Sequence, residues 1–387
     1  MTLPESCPIA VIGAGPAGSA LAALLAGAGR GVVLLEKGSF PRSKLCGEFL
    51  SMESQALLRR IGCWEEVASV KPASIVSARF YSPAGRSAAL DLGGEALGLS
   101  RLALDAGLFA HARRRGAVVV EGAEVTRLGP DGTMEVRRSL PDGSVRTSRL
   151  RAGLVVAAYG RRGGLDRQLG RRFLTRRHPF IGLKRHHRPA PGKEGTLAGE
   201  FGSVVEVHLF RGGYCGVSFV EGGAVNVCLL ADRRWAGRLV SSRWSEVSRE
   251  LSRSSPSLAG RLAGLVPCEE ATHAAAELSF EAKETSSGRV LFIGDAAGMI
   301  APMCGDGQAM ALESAVLLAE LVAGEDRPAE LRALWDAAWR ERFASRLRLG
   351  RWLQRALLAP LAAEAAVAAV GCWPRLGRAL MGGTRGS

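Results

Sequence analysis

Ile9–Ala–Val–Ile12, Gly13–Ala–Gly15–Pro–Ala–Gly18, an alanine- and leucine-rich run to Leu25, then Val32–Val–Leu–Leu35 and Glu36: this opening stretch decides the fold. A buried strand ends at Gly13, where the chain turns tightly. Gly15 leaves room for a pyrophosphate against the backbone, and Gly18 lets the helix lie close on the sheet. Ala17 falls in the first helical turn. The free N–H groups of that turn and the helix dipole favour phosphate charge. Glu36 ends the second strand, with Lys37 beside it, where a carboxylate can accept from both hydroxyls of a ribose. A secretory signal over the apolar Ile9–Leu25 is the alternative. It fails, because no basic residue precedes the run and the strand and acid that follow would be unexplained.

Far along the chain stands Val290–Leu–Phe–Ile–Gly294–Asp295–Ala–Ala–Gly298, followed by Pro302, Gly305 and Gly307. A dinucleotide cradle with this second element fits FAD, whose ribityl chain and ring must be held as well as its ADP half. Asp295 follows a buried strand, where a carboxylate needs a donor, and a ribityl hydroxyl would supply one. Gly305–Asp306–Gly307 opens a helix through Gln308 to Glu313. Its N-terminus would face the N1/O2 edge of the ring and stabilise negative charge there. Pro302 and the glycines permit close backbone approach where oxygen would add.

At 387 residues the chain is long for one core, and two lobes are expected. The eight cysteines include no Cys-x-x-Cys pair. They read as reduced thiols in a cytoplasmic protein, with neither a disulfide frame nor a metal site. The net charge of +14 is concentrated. Residues 161–188 hold nine arginines and Lys184 against Asp166 alone, and residues 340–385 hold nine arginines against Glu341 and Glu364. Such blocks suit anionic partners: a phosphorylated nicotinamide cofactor, an acyl carrier or a membrane surface. Arginine on solvated faces is the plainer alternative. No nucleic-acid reading module is visible, so nucleic acid is not an expected partner.

The predicted organisation is α/β: an FAD-binding Rossmann-like domain of the glutathione-reductase type, an inserted antiparallel sheet for the substrate, and a C-terminal helical segment. The FAD-binding domain is drawn from 1–60, 101–165 and 285–330, the substrate domain from 61–100 and 166–284, and a helical lid from 331–387. Arg101–Arg115 reads as a helix, Val118–Glu121 as a strand, and Val125–Arg127, Thr133–Arg138 and Val145–Leu150 as a meander turning at Asp131–Gly132 and Asp142–Gly143. Leu154–Ala157 is a further buried strand. From Leu197 to Leu230 apolar residues alternate (Val205, Val207, Leu209; Cys215, Val217, Phe219; Val225, Val227, Leu229) between glycine turns, which predicts an antiparallel sheet. Trp235–Leu251 reads as one helix.

From Ile9 to about Ala323 the chain resembles the FAD enzymes built like para-hydroxybenzoate hydroxylase and geranylgeranyl reductase. The likeness rests on the glycine loop with Glu36, on Phe40–Pro–Arg42–Ser–Lys–Leu–Cys46–Gly47–Glu48–Phe–Leu–Ser51, on the helix starting Ser100–Arg101 with Asp105, and on Gly294–Asp295. It implies that Arg42 lies in a loop that passes the isoalloxazine, that Cys46, Gly47 and Glu48 line the ring's approach, and that Arg101 meets the pyrophosphate or ribityl chain. With Val125, Gly305, Gly307 and Gln308 these complete the expected cofactor contacts. FAD is expected to be non-covalent, because no cysteine or histidine is placed to reach the ring from both loops. NADH or NADPH would be the transient reductant.

Three departures narrow the choice. Halogenases of the group carry Trp-x-Trp-x-Ile-Pro, which is missing here. Geranylgeranyl reductases carry Tyr-x-Trp-x-Phe-Pro, where this chain has Tyr214–Cys–Gly–Val–Ser–Phe219. The usual Asp-Gly after the buried strand is replaced by Ala158–Tyr159–Gly160. What remains is most similar to the small flavoprotein hydroxylases that accompany type III polyketide synthases and oxidise their phenolic lipids. The resemblance implies NAD(P)H reduction of FAD, oxygen addition to the reduced flavin as a hydroperoxide, and attack by an electron-rich ring once a base has taken its proton. His186, His187, His208 and Tyr214 are the titratable candidates on the inserted sheet, with Pro302 at the ring. Saturation of a polyprenyl or quinone-linked double bond by the same flavin is the alternative.

Near the C-terminus Trp335, Trp339, Phe343 and Leu347 recur every four residues beside arginines, and Leu357–Val370 is nearly all apolar, broken by Pro360 and Glu364. Spanning a bilayer needs about 20 apolar residues, so a lid over the substrate pocket is expected. A peripheral membrane contact through the same segment would admit a lipid-like aromatic substrate. Oligomeric state is not written in these patterns.

Overall fold

The computed structural model describes residues 3–140, 143–177, 179–236, 239, 243–268, 272–325, 327–373, 375, 377 and 382–383. Asp142 of the second meander turn, part of 237–242 and most of the chain beyond Trp373 lie outside the described residues.

The strand Ser6–Ile12 is fully buried from Ile9 onward, as a strand covered by helices on both faces must be. It runs parallel between Val32–Leu35 and Val145–Ala157, and the sheet extends to Val118–Val120 on one side and Val290–Phe292 on the other. Its two flanking pairings bring the ends of two distant motifs together: Ile12 lies beside Leu35 and Ala157, and Ala157 beside Phe292. The helices Pro16–Gly27, Arg101–Arg114 and Gly307–Gly324 pack together over these strands. Gly307–Gly324 is long and apolar enough to cross a membrane, and more than half of it is buried within the protein.

Val145–Ala157 is one continuous strand, where the sequence suggested two. Its first half pairs antiparallel with Thr133–Ser139 and its second half joins the parallel sheet. One backbone serves both because Val145–Leu150 and Leu154–Ala157 are separated only by Arg151, Ala152 and Gly153, which keep an extended conformation.

The second sheet runs in the order Leu265–Pro267, Phe180–Pro189, Val225–Asp232, Gly213–Phe219, Val204–Phe210, Ala73–Tyr81, Ser87–Gly98, Phe49–Leu50, with His273–Leu278 also on Phe180–Pro189. Its one parallel pairing joins Val204–Phe210 to Ala73–Tyr81. Two expectations are corrected here. Leu197–Phe201 belongs to a helix, Glu194–Phe201, since Leu197 and Phe201 share a face at fourfold spacing. Trp235–Leu251 divides into Arg233–Ala236 and Trp244–Ser254.

At the end of the chain Pro328–Leu357 lays Trp335, Trp339, Phe343 and Leu347 into the FAD-domain core. An added Cβ on Gly298 would meet Leu347 at 3.1 Å and Trp339 at 3.3 Å, so the small residue fixes how close this helix comes. The chain then bends by 108° into Pro360–Cys372.

Candidate cofactor and substrate site

A cavity of about 740 Å³ runs between the two sheets, from the glycine loop to the antiparallel sheet. At its nucleotide end Gly13 has φ +103°, and a Cβ there would lie 2.6 Å from the Ala158 carbonyl oxygen; a Cβ on Gly18 would lie 1.9 Å from Gly13 O. Those two glycines serve contacts within the protein and do not line the cavity. Gly15 is different, because its Cβ would meet only Arg101 Nη2 at 3.9 Å and would otherwise project into open space. Gly15, Ala17, Lys37 and Arg101 all line the cavity.

Glu36 is buried at the strand end, accepting from Ala14 N, Gly38 N and Arg42 Nη2, each at 2.9 Å. A carboxylate offers about four lone-pair sites, so one remains for a ribose hydroxyl. Arg42 is thus fixed on Glu36 and over the Phe40 ring. Its guanidinium finds the nearer carboxylate. Val125 sits in the core, opposite Val136 in a bulged strand, and is not among the residues lining the cavity.

Arg101 donates from Nε and Nη2 to both oxygens of buried Asp105, at 2.5 and 2.6 Å. Burial opposes its charge, but the Asp105 carboxylate outweighs burial and raises its pKa above the ordinary value. Asp295 lines the middle of the cavity, half-buried, and its carboxylate accepts no hydrogen bond from the described residues. Arg161 and Lys283 stand around it. Lys283 Nζ donates to the carbonyls of Arg161 and Asp295, both at 2.7 Å. Burial pulls its pKa down to about 8, helped by the Arg171 and Arg161 charges.

At the ring end Pro302, Gly305, Gly307 and Gln308 form one wall and Cys46, Gly47 and Glu48 the other. Gln308 Nε2 donates to Cys46 Sγ at 3.2 Å, while Gln308 Oε1 is buried without a partner among the described residues. Cys46, Cys228 and Cys304 all line the cavity, so the stated reason for non-covalent binding does not hold. Glu48 has φ +58° and no solvent exposure. Its Oε1 accepts from buried Lys184 Nζ and from Arg101 N at 2.8 Å, and its Oε2 lies 2.6 Å from His186 Nε2. Burial pushes the Glu48 pKa up, but the His186 and Lys184 contacts prevail and hold it below the ordinary carboxylate value. His186 does not itself line the cavity and is linked to it through Glu48.

The far end is apolar, walled by Ala78, Phe80, Leu92, Val205, Val207 and Leu230. Tyr214 lies among them with its hydroxyl buried beside the Met303 backbone; the hydroxyl proton finds no acceptor among the described residues, and burial raises its pKa well above 10. It remains a neutral donor and is corrected from a candidate base. His208 is corrected too. Strand alternation sends Val205 and Val207 into the cavity and Glu206 and His208 to the opposite face. There His208 stacks on Tyr81 at 4.5 Å, bonds Ser257 Oγ at 2.9 Å and lies 3.4 Å from Glu206. His187 packs against Trp244 at 5.1 Å. Lys184, which holds Glu48, and Lys283 with Arg161 are the polar groups that the sequence did not assign to the site. Lys184 carried a signal: it interrupts an apolar strand at the same parity as cavity-lining Gly182.

Residues 6–189 match the family model described as FAD binding domain. The nucleotide cradle, the unsatisfied Asp295 and Gln308, and the open face of Gly15 all fit that cofactor. The chain is an FAD-dependent oxidoreductase. This flavoprotein is similar to menaquinone reductase of Mycobacterium tuberculosis, 26% identical over 373 residues that cover 93% of this chain and 86% of the relative. It is also similar to conditioned medium factor receptor 1 of Dictyostelium discoideum, 28% identical over 370 residues, covering 90% and 71%. Among solved structures it shares its fold with the flavin-dependent halogenase CmlS (TM-score 0.74, 23% identity), covering 89% of this chain and 63% of that one. A geranylgeranyl bacteriochlorophyll reductase-like protein of Thermoplasma acidophilum has the same fold (TM-score 0.73, 19% identity), covering 95% and 92%.

Proposed function

We propose that this oxidoreductase is an NAD(P)H-dependent monooxygenase that hydroxylates a phenolic ring carrying an apolar chain. The observation that carries the reading is Tyr214: one buried hydroxyl whose proton has no acceptor among the described residues, in a largely apolar wall. An unpaired buried hydroxyl costs about 1–3 kcal/mol, and a ring oxygen accepting its proton would recover that. The apolar walls above it suit an aromatic ring and a hydrocarbon tail, and they exclude water from the reacting face.

FAD, when bound, takes reducing equivalents from NAD(P)H and activates oxygen. The chain supplies the rest. Gly15, Arg101 and Glu36 hold the ADP half, Asp295 accepts from the ribityl chain, and the Gly307 helix start offers backbone N–H groups to the ring's edge. Cys46 and Gln308, bonded to each other, set the wall beside it. Glu48 is kept ionised by Lys184 and His186 and anchors the Arg101 backbone, coupling the nucleotide and ring ends. Incubation with phenolic lipids under labelled oxygen tests the reading, with label expected in the product and oxygen uptake matching NAD(P)H oxidation.

A second reading is favoured by the likeness to menaquinone reductase across 93% of the chain: saturation of a double bond in an isoprenoid-tailed quinone. The same cavity end would hold a quinone oxygen on Tyr214. Unlabelled product gaining two hydrogens, without oxygen uptake, would establish this reading and overturn the first.

A further inference from the structure

The bend between the last two helices has two unlike sides. On its inner side Leu357, Leu358, Ala363 and Val367 pack with Tyr214, Leu230, Met299 and Met303, which wall or adjoin the apolar end of the cavity. Its outer side is exposed, and the three most exposed large apolar side chains among the described residues lie there: Leu361 at 87%, Trp373 at 66% and Trp352 at 61%. Nothing in the FAD chemistry calls for them.

The outer face is continuous. Arg348, Trp352 and Arg355 are exposed at spacings of four and three, so they share one side of the long helix, and Ala359 is exposed in the bend that follows. Past the bend the exposed positions of Pro360–Cys372 are Pro360, Leu361, Ala362, Ala365, Gly371 and Cys372, and none carries a charge. The one acidic residue of that helix, Glu364, is turned inward to accept from Ala84 N at 2.6 Å. From Leu361 to Trp373 the helix rises about 18 Å. Arg348 and Arg355 flank this apolar face at one end and exposed Arg375 at the other. Arg355 lies 3.7 Å from Glu281, with both side chains well exposed, and such a pair is worth little.

We propose that this helical elbow docks on an anionic lipid bilayer. Leu361, Trp352 and Trp373 enter the boundary between headgroups and acyl chains, and the flanking arginines meet anionic headgroups. Amphipathic tryptophan is suited to that depth. The inner side of the same elbow closes the apolar end of the cavity, so a substrate tail would pass from the bilayer between the last helix and the sheet. That passage rests on the proposed apolar substrate; the docking does not, and it holds for hydroxylase and reductase alike.

Flotation of the FAD-loaded full chain tests it, using phosphatidylcholine vesicles with and without about 30% phosphatidylglycerol, at low and high salt. The protein is expected to float with the anionic vesicles at low salt and to be released by salt. Each arginine contributes roughly fivefold in partitioning, so Arg348→Gln with Arg355→Gln should lower it roughly 30-fold. Leu361→Asp should abolish it. All three positions are exposed, and unchanged flavin absorbance with an unchanged melting temperature will show the variants folded. Equal recovery with and without vesicles at low salt overturns the proposal. So does a wild-type dimer, seen by sedimentation velocity, that Leu361→Asp converts to monomer without affecting flotation.

Discussion

Gly15→Ala separates cofactor binding from folding. The backbone at Gly15 is extended, with φ −75°, which alanine adopts freely, and the added Cβ meets only Arg101 Nη2 at 3.9 Å. Two small effects act on the apo-protein. Alanine stiffens the unfolded chain, adding about 0.4–1 kcal/mol of stability. It is also a poorer helix N-cap than glycine, by roughly 0.5–1 kcal/mol. These offset one another, so the apo melting temperature should move by no more than a few degrees. FAD responds differently, because the new methyl stands where the pyrophosphate must approach the backbone. At one hundred times its Kd a ligand adds about 2.7 kcal/mol to stability; the variant should gain none of this at the concentration that protects the wild type. Thermal melts of deflavinated protein with and without FAD, alongside quenching of FAD fluorescence on titration, measure both. Gly18→Ala is the contrast, since its Cβ would lie 1.9 Å from Gly13 O and should destabilise the apo-protein itself. A Gly15→Ala variant that binds FAD like the wild type would refute the cradle, as would an apo melt as low as that of Gly18→Ala.

Four further outcomes are expected. Asp295→Ala should purify largely without flavin, since the cavity loses its ribityl acceptor; normal FAD absorbance would show the acceptor lies elsewhere. Tyr214→Phe removes a buried hydroxyl whose proton has no acceptor among the described residues, so stability should hold or rise by up to about 1 kcal/mol, while KM for the ring substrate rises and kcat changes less. Glu206 is buried, and although burial raises its pKa, contacts with His208 and Arg261 bring it from 4.5 down to about 2. A depressed carboxylate stabilises above its unfolded pKa and loses that contribution as pH falls through the folded one. Glu206→Gln should therefore cost on the order of 3 kcal/mol at neutral pH, flatten acid unfolding between about 4.5 and 2, and leave flavin content unchanged. Acid precipitation should release all of the yellow colour; colour in the pellet would indicate a covalent link, with Cys46 the first thiol to examine.

The parallel sheet and its cofactor loops were legible because their constraints are local and backbone-based. Gly13 must take a positive φ, Gly18 must yield space to Gly13 O, and four consecutive apolar residues ending in Glu36 can only be a buried strand meeting a polar group. The arginine blocks were less legible. Read as surface charge, they suggested partners, yet several arginines are internal struts. Arg171 is buried on Asp166 and lies 3.7 Å over the Phe292 ring, and Arg346 joins Glu313 and Glu53. Glu313 and Glu53 are distant in sequence from Arg346, as Phe292 is from Arg171, and no spacing rule reaches across such separations. Arg42 is a related case: a side chain that long selects among carboxylates by distance, and its Nη2 lies 2.9 Å from Glu36 Oε2.

The substrate half of the site turns on a single parity. Alternation from Val204 to Phe210 predicts a strand with two faces, and both faces are buried, so hydrophobicity cannot say which one meets the flavin. The parallel pairing with Ala73–Tyr81 decides it. That pairing sets Val205 beside Ala78 and Val207 beside Phe80 on the cavity side, and His208 beside Tyr81 on the other. A one-residue slip would exchange the two sets, bringing a Glu206–His208 pair to the substrate and sealing the valines away. The far face resists such a slip, because Glu206 accepts from Arg261 Nε and Nη2, each at 2.8 Å, and from the Tyr81 hydroxyl at 3.2 Å. Those polar contacts lie outside the cavity but fix which side chains line it. The apolar wall around Tyr214, and with it the class of substrate admitted, is specified from behind the sheet.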